Sequence, residues 1–92
     1  AGRRLSAWAR AAGADRLDES VGTWLFTSAD DRGWWGSMWA DRVVESAVGR
    51  QAVDLGVATA EDVQAWSSGW REWSTLSDGW FVCVHGEVVI HA

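Results

Sequence analysis

Three groups of residues in this sequence have side chains that could act on another molecule. The first is His85, Glu87 and His91. Strand alternation puts all three on one face, and imidazoles with a carboxylate are metal ligands. Positions i and i+6 of a strand lie roughly 20 Å apart, however, so one ion cannot bridge the two histidines. His85 is instead expected as a capped or hydrogen-bonded residue near a sheet end. The second group is Cys83 alone, within Phe81-Val82-Cys83-Val84. Apolar neighbours argue for an inert thiol rather than a nucleophile. The third is the stretch Gly33-Trp34-Trp35-Gly36-Ser37-Met38-Trp39. Adjacent Trp34 and Trp35 point about 100° apart on a helix, so one core does not readily take both. Trp34, Trp35 and Trp39 are therefore candidates to line a pocket for an apolar or aromatic ligand, with plain packing as the alternative.

Other chemistry is not encoded. The pairs Asp30-Asp31 and Glu61-Asp62 fit helix starts better than acid–base catalysis. No G-x-G and no P-loop occurs, so the chain carries no recognisable phosphate or dinucleotide cradle.

The elements that must position these residues follow from periodicity. Residues 1–14 read as a short helix, with Leu5, Trp8, Ala9 and Ala12 at helical spacing and Gly13 as its left-handed stop. Residues 18–28 read as a strand around Trp24-Leu25-Phe26. Residues 30–76 read as a helical insertion or cap. Its first helix carries a stripe of Trp35, Met38, Trp39, Arg42, Val43, Ser46 and Ala47, with a break expected near Gly49. Gly56 closes that segment, and Thr59 N-caps the next helix. Along it Val63, Trp66, Trp70 and Trp73 form an apolar seam, with Ser67-Ser68-Gly69 beside it for close approach of another element. That helix is expected to end near Leu76. Residues 79–91 read as the most apolar strand, with a bulge or turn at Gly86. Apolar residues on both faces of each strand predict interior members of a covered sheet. On this reading Trp8, Trp24, Trp66, Trp70, Trp73 and Trp80 belong to the core.

Composition bounds the rest. The 92 residues allow one small domain and carry a net charge of −5, with nine Trp, no Tyr and no Pro. All eight basic residues are Arg. The acidic balance disfavours non-specific contact with nucleic acid or an anionic membrane. No apolar run reaches the roughly 18–20 residues of a membrane span. A single cysteine supports neither a disulfide framework nor a cysteine zinc cluster, which reads as cytoplasmic. Two strands do not make a stable sheet with both faces buried. With an N-terminus of Ala1-Gly2 and no Met, this predicts a piece of a longer protein, or self-association through the exposed strands.

The same residues, in order, carry a family resemblance. Arg3-Arg4-Leu5 through Ala11-Ala12-Gly13 is similar to the last sheet-packing helix of class I S-adenosylmethionine-dependent methyltransferases. Asp18 to Thr27 is similar to the strand that follows it. Trp34-Trp35-Gly36 with Trp39-Ala40-Asp41-Arg42 and Ser46 resembles the helical insertion of actinobacterial members. Leu55-Gly56-Val57-Ala58-Thr59 and Glu61-Asp62-Val63 resemble the entry to their next helix. Trp70-Arg71, Trp73, Asp78-Gly79-Trp80-Phe81 and His85-Gly86-Glu87-Val88 resemble their closing run. The resemblance covers essentially all 92 residues. It implies an α/β fragment, helix-strand-helix-helix-strand. Its two strands would form the antiparallel C-terminal hairpin of a Rossmann-like sheet, with the helical insertion between them. It implies a parent enzyme that moves a methyl group from S-adenosylmethionine to a small-molecule acceptor. The cofactor-binding motifs are missing, so this chain alone is expected to bind no cofactor and to be inactive. Trp34, Trp35, Trp39 and Arg42 are then the candidate acceptor contacts. The aromatic faces would shape the acceptor and Arg42 would hold a carboxylate or phenolate. The plainer reading of Arg42 is a pairing with a helix carboxylate. The alternative function is a non-enzymatic, Trp-rich ligand-binding or dimerisation module.

Overall fold

The computed structural model describes residues 2–91. A 3-10 turn, Gly2–Arg4, leads into α1 (Leu5–Ala11); β1 (Arg16–Phe26), α2 (Ala29–Glu45), α3 (Ala47–Asp54), α4 (Ala60–Ser74) and β2 (Phe81–His91) follow. Among the described residues this is a small α/β fold of four α-helices and one antiparallel two-stranded sheet. The chain divides into two compact units: a sheet unit, Ala1–Leu25 with Val82–Ala92, and a helical unit, Phe26–Phe81.

Local chemistry sets most boundaries. Gly13 (φ 99°) and Gly56 (φ 72°) take the left-handed conformation that stops α1 and α3. The Ser28 hydroxyl accepts from the Asp31 N–H at 3.1 Å, and Asp30 and Asp31 occupy the first turn of α2. Thr59 and Asp62 form a reciprocal capping box at the start of α4, at 2.9 and 3.1 Å.

Three expectations shift. The break in the long helix falls at Ser46, not near Gly49. Ser46 is extended (ψ 176°), its hydroxyl donates to the Arg42 carbonyl at 2.5 Å, and the same oxygen accepts from the Val48 N–H. One side chain thus ends α2 and starts α3. Helix α4 stops at Ser74, two residues before Leu76, where the Ser74 and Thr75 hydroxyls donate to the Arg71 and Glu72 carbonyls. Strand β2 runs through Gly86 as one continuous strand, without a turn there.

In the helical unit, α2 packs on α4 through small residues. Ala40 is fully buried, and the Ser67 hydroxyl donates to its carbonyl at 2.8 Å. A Cβ on Gly36 would come within 2.7 Å of Ser74 Cβ and 2.8 Å of the Trp70 carbonyl. A Cβ on Gly49 would come within 2.0 Å of the Val43 carbonyl, so only glycine lets α3 fold back here. Of Ser67-Ser68-Gly69, only Ser67 meets the facing helix, at Ala40; Ser68 and Gly69 are exposed, and the close approach at Gly36 is to Trp70 and Ser74. Buried Phe26, Trp35, Ala40, Val43 and Val63 complete the core.

The sheet unit differs from its expectation. Side chains meet across the two strands at Asp18 and His91, Ser20 and Glu87, and Trp24 and His85, in the descending order that antiparallel pairing requires. Gly2 lies against Gly86, and Arg10 of α1 pairs with Glu19 of β1 at 3.3 Å. The strands are nevertheless not covered on both sides. Trp24 is 56% exposed and Val84 64%, and Val21, Leu25, Val82, Val89 and Ile90 are exposed with them. Continuous apolar sequence does not bury a strand when seven-residue α1 is the only helix of the sheet unit among the described residues. No helix is long and apolar enough to cross a membrane among the described residues.

Candidate functional site

Helix α2 places Trp35, Trp39 and Arg42 along one side, because residues three and four apart share a face, and sets Trp34 about 100° around the helix from Trp35. Seven aromatic side chains meet around them, all within the helical unit. Phe26 stacks on Trp35 with centroids 4.2 Å apart, and Trp34 lies 5.9 Å from Trp35 and 6.2 Å from Phe26. Trp35 meets Trp39 edge-to-face at 5.8 Å, and Trp39 stacks on Trp70 at 6.1 Å. Trp70 meets Trp73 edge-to-face at 5.6 Å. Phe81 is the hub, at 5.4 Å from Trp35, 5.5 Å from Trp70 and 6.2 Å from Trp73. These are the separations at which aromatic rings attract beyond area burial alone.

The four candidates divide by exposure. Trp35 is 7% exposed and serves as the backing of the cluster. Trp39 is half-buried, and Trp34 is 62% exposed with its neighbours Phe26 and Trp35 beneath it. Arg42 is exposed, its guanidinium carbon 5.1 Å from the Trp39 ring centroid. The expected carboxylate pairing of Arg42 is not made among the described residues. The ion pair between α2 and α4 is Arg71 with Asp41 instead. Arg42 therefore keeps its hydrogen-bond donors available for an anion. The Nε1–H groups of Trp35 and Trp39 are buried without an acceptor among the described residues.

Together these residues form an aromatic surface on α2, with Arg42 at its end in no ion pair among the described residues, rather than an enclosed chamber. Two hollows of the helical unit lie elsewhere. One, of about 250 Å³, is lined by residues including Val44, Gly49, Val53 and Val63. The other, of about 300 Å³, is lined by residues including Ala40, Asp41, Ser67 and Arg71. Chemically, Trp34 offers a face for a planar group and Arg42 offers charge for a carboxylate or phenolate.

Several tryptophans lie far from where their spacing put them. Trp8, Trp24, Trp66 and Trp80, expected in the core, are exposed, Trp80 by 70%. Trp70 and Trp73 are half-buried in the cluster. Arg32 was not singled out from sequence and is 7% exposed. It donates to the Thr27 carbonyl, and its Cδ lies 2.9 Å from where a Gly79 Cβ would stand. Its place three residues before Trp35, on the buried stripe of α2, is the signal that marks it.

The histidines act separately. His91 hydrogen-bonds to Asp18 at 2.6 Å, whereas His85 packs on Trp24 at 4.2 Å. His85 is not the hydrogen-bonded residue expected, for its Nε2 has no partner among the described residues. Among the described residues no cluster of three His, Cys, Asp or Glu side chains is placed to hold a metal ion. Cys83 is a half-buried free thiol. Compared with protein-family models, with curated proteins and with solved structures, the chain matches none of them.

Proposed function

We propose that this chain is the C-terminal, sheet-edge and substrate-cap portion of a class I S-adenosylmethionine-dependent methyltransferase. The observation that carries the reading is the antiparallel pairing of β1 with β2 around an inserted three-helix unit. That is the arrangement the ordered motifs from Arg3 to Val88 imply. The uncovered apolar faces of the two strands support it as well, since a Rossmann-like sheet would extend and cover them. In this reading Trp34 and Trp39 shape a small-molecule acceptor, Trp35 supports them from behind, and Arg42 holds an anionic group on it. Fixing the acceptor is what such a reaction needs most, because transfer from a sulfonium to an O, N or C nucleophile depends on alignment.

The residues present do not fit the cofactor itself. The turn between β1 and α2 contains no glycine, and its Ser28 hydroxyl is already engaged by the Asp31 N–H. S-adenosylmethionine therefore belongs to the remainder of the parent enzyme, and no residue of this chain is assigned to it.

Calorimetric titration tests the proposal. The 92-residue chain is expected to give no binding heat with S-adenosylmethionine. The chain joined to the residues encoded upstream of Ala1 is expected to bind it and to release S-adenosylhomocysteine with an acceptor. In that longer form Trp34→Ala is expected to raise the acceptor KM about tenfold, as loss of one stacking contact would. Tight binding by the short chain, or none by the longer one, overturns the reading.

A further inference from the structure

The two strands of the sheet unit differ in how their free edges are protected. Neither makes a backbone hydrogen bond to a further element among the described residues. Strand β1 carries Arg16, Asp18 and Glu19 near its start, and charges of this kind discourage edge pairing. Strand β2 has 11 residues, no Pro, no Arg, and Glu87 as its one carboxylate. It presents exposed Val82, Val84 and Ile90 on one face and Val89 on the other, beside an edge without Lys, Arg or Pro to deter another strand; Gly2 lies against Gly86.

The sequence of β2 is complementary to itself. Gly86 is its central residue. Antiparallel pairing of two copies about a two-fold axis at Gly86 sets Val82 opposite Ile90 and Val84 opposite Val88 on one face. On the other face it sets Cys83 opposite Val89, and His85 opposite Glu87. Each pair occurs twice, as an isologous interface requires. The only carboxylate of the strand thus meets a basic side chain, and no like charges face each other.

We propose that the free edge of β2 binds the β2 edge of a second copy of this chain, giving a four-stranded antiparallel sheet ordered β1-β2-β2-β1. The pairing supplies the third and fourth strands that an isolated hairpin lacks. It does not rest on methyl transfer. In the longer enzyme proposed above the same edge belongs to that enzyme's own sheet, whereas on the 92-residue chain a second copy takes it.

The register makes the test sharp. Cys83 lies opposite Val89 of the second copy, so the two native thiols stand six residues apart along the strands, roughly 20 Å. A disulfide between them is out of reach, and so is one between positions 83 and 89 of a single chain. In the Val89→Cys variant each new thiol sits opposite a native one. Sedimentation velocity is expected to show a reversible dimer of the unmodified chain. Under mild oxidation, Val89→Cys is expected to run as a disulfide-linked dimer without reductant, while the unmodified chain does not. Val84→Lys, which sets a charge against Val88 of the second copy, is expected to weaken association about tenfold or more. Far-ultraviolet circular dichroism of each variant checks that the helices remain. A chain that stays monomeric as its concentration rises overturns the proposal. So does Cys83-to-Cys83 linkage in the unmodified chain, or a dimer that Val84→Lys does not weaken. None of these readouts depends on cofactor or activity, so the methyltransferase reading stands or falls separately.

Discussion

The helical unit buries Phe26 and Trp35 at the centre of an aromatic cluster, whereas Trp8 and Trp24 of the sheet unit are exposed, although both units draw on the same residue types. Trp35 is enclosed by Phe26, Trp39 and Phe81, while Trp24, equally large, meets one ring among the described residues, that of His85. The difference lies in geometry. Two helices that present small residues to each other, Gly36 and Ala40 against Ser67 and Ser74, bring their backbones close and let flanking rings interlock. A two-stranded sheet has two wide faces, and one short helix covers little of either. An apolar side chain is therefore only as buried as the opposing surface is broad.

Three substitutions sharpen or break this contrast. The largest effect is expected from Trp35→Ala, which empties the centre of the cluster. A loss of about 3–5 kcal/mol is expected in urea unfolding followed by near-ultraviolet circular dichroism. A loss below about 1 kcal/mol would mean that the cluster is not the core of the helical unit. Gly36→Ala comes next. Its methyl would meet Ser74 Cβ at 2.7 Å and the Trp70 carbonyl at 2.8 Å, so α2 and α4 must separate. The cost is expected at about 1–3 kcal/mol in the same experiment. The smallest effect is expected from Trp24→Ala in the sheet unit, under about 1 kcal/mol, with the helical transition unchanged. If Trp24→Ala instead equals Trp35→Ala, the sheet unit is packed as well as the helical one and the contrast fails.

The candidate site was legible in part. The spacing of Trp34, Trp35, Trp39 and Arg42 is enough to place them along one helix. What spacing leaves open is which member faces inward, because that depends on Phe26 and Phe81, which come from strand ends outside the helix. Arg42 shows the same limit. Helix spacing suggests a nearby carboxylate, yet its guanidinium lies over the Trp39 ring, while Asp41 is taken by Arg71 from another helix. Arg32, a cation directly behind Asp30-Asp31, is buried beneath the turn at Gly79, which no spacing within its helix specifies.

What the sequence determined by itself is what short-range forces decide. Ser28 and Thr59 start helices because a hydroxyl reaches an N–H three residues on. Gly13 and Gly56 stop them because they bear no side chain to oppose a positive φ. Alternation and 3.6-residue periodicity follow from the backbone and give the order of strands and helices. Only the tertiary structure decided which tryptophans are covered and whether the strands are enclosed. Those outcomes depend on surfaces brought from distant parts of the chain. A side chain's own neighbours in sequence do not specify how much opposing surface will arrive to exclude water from it.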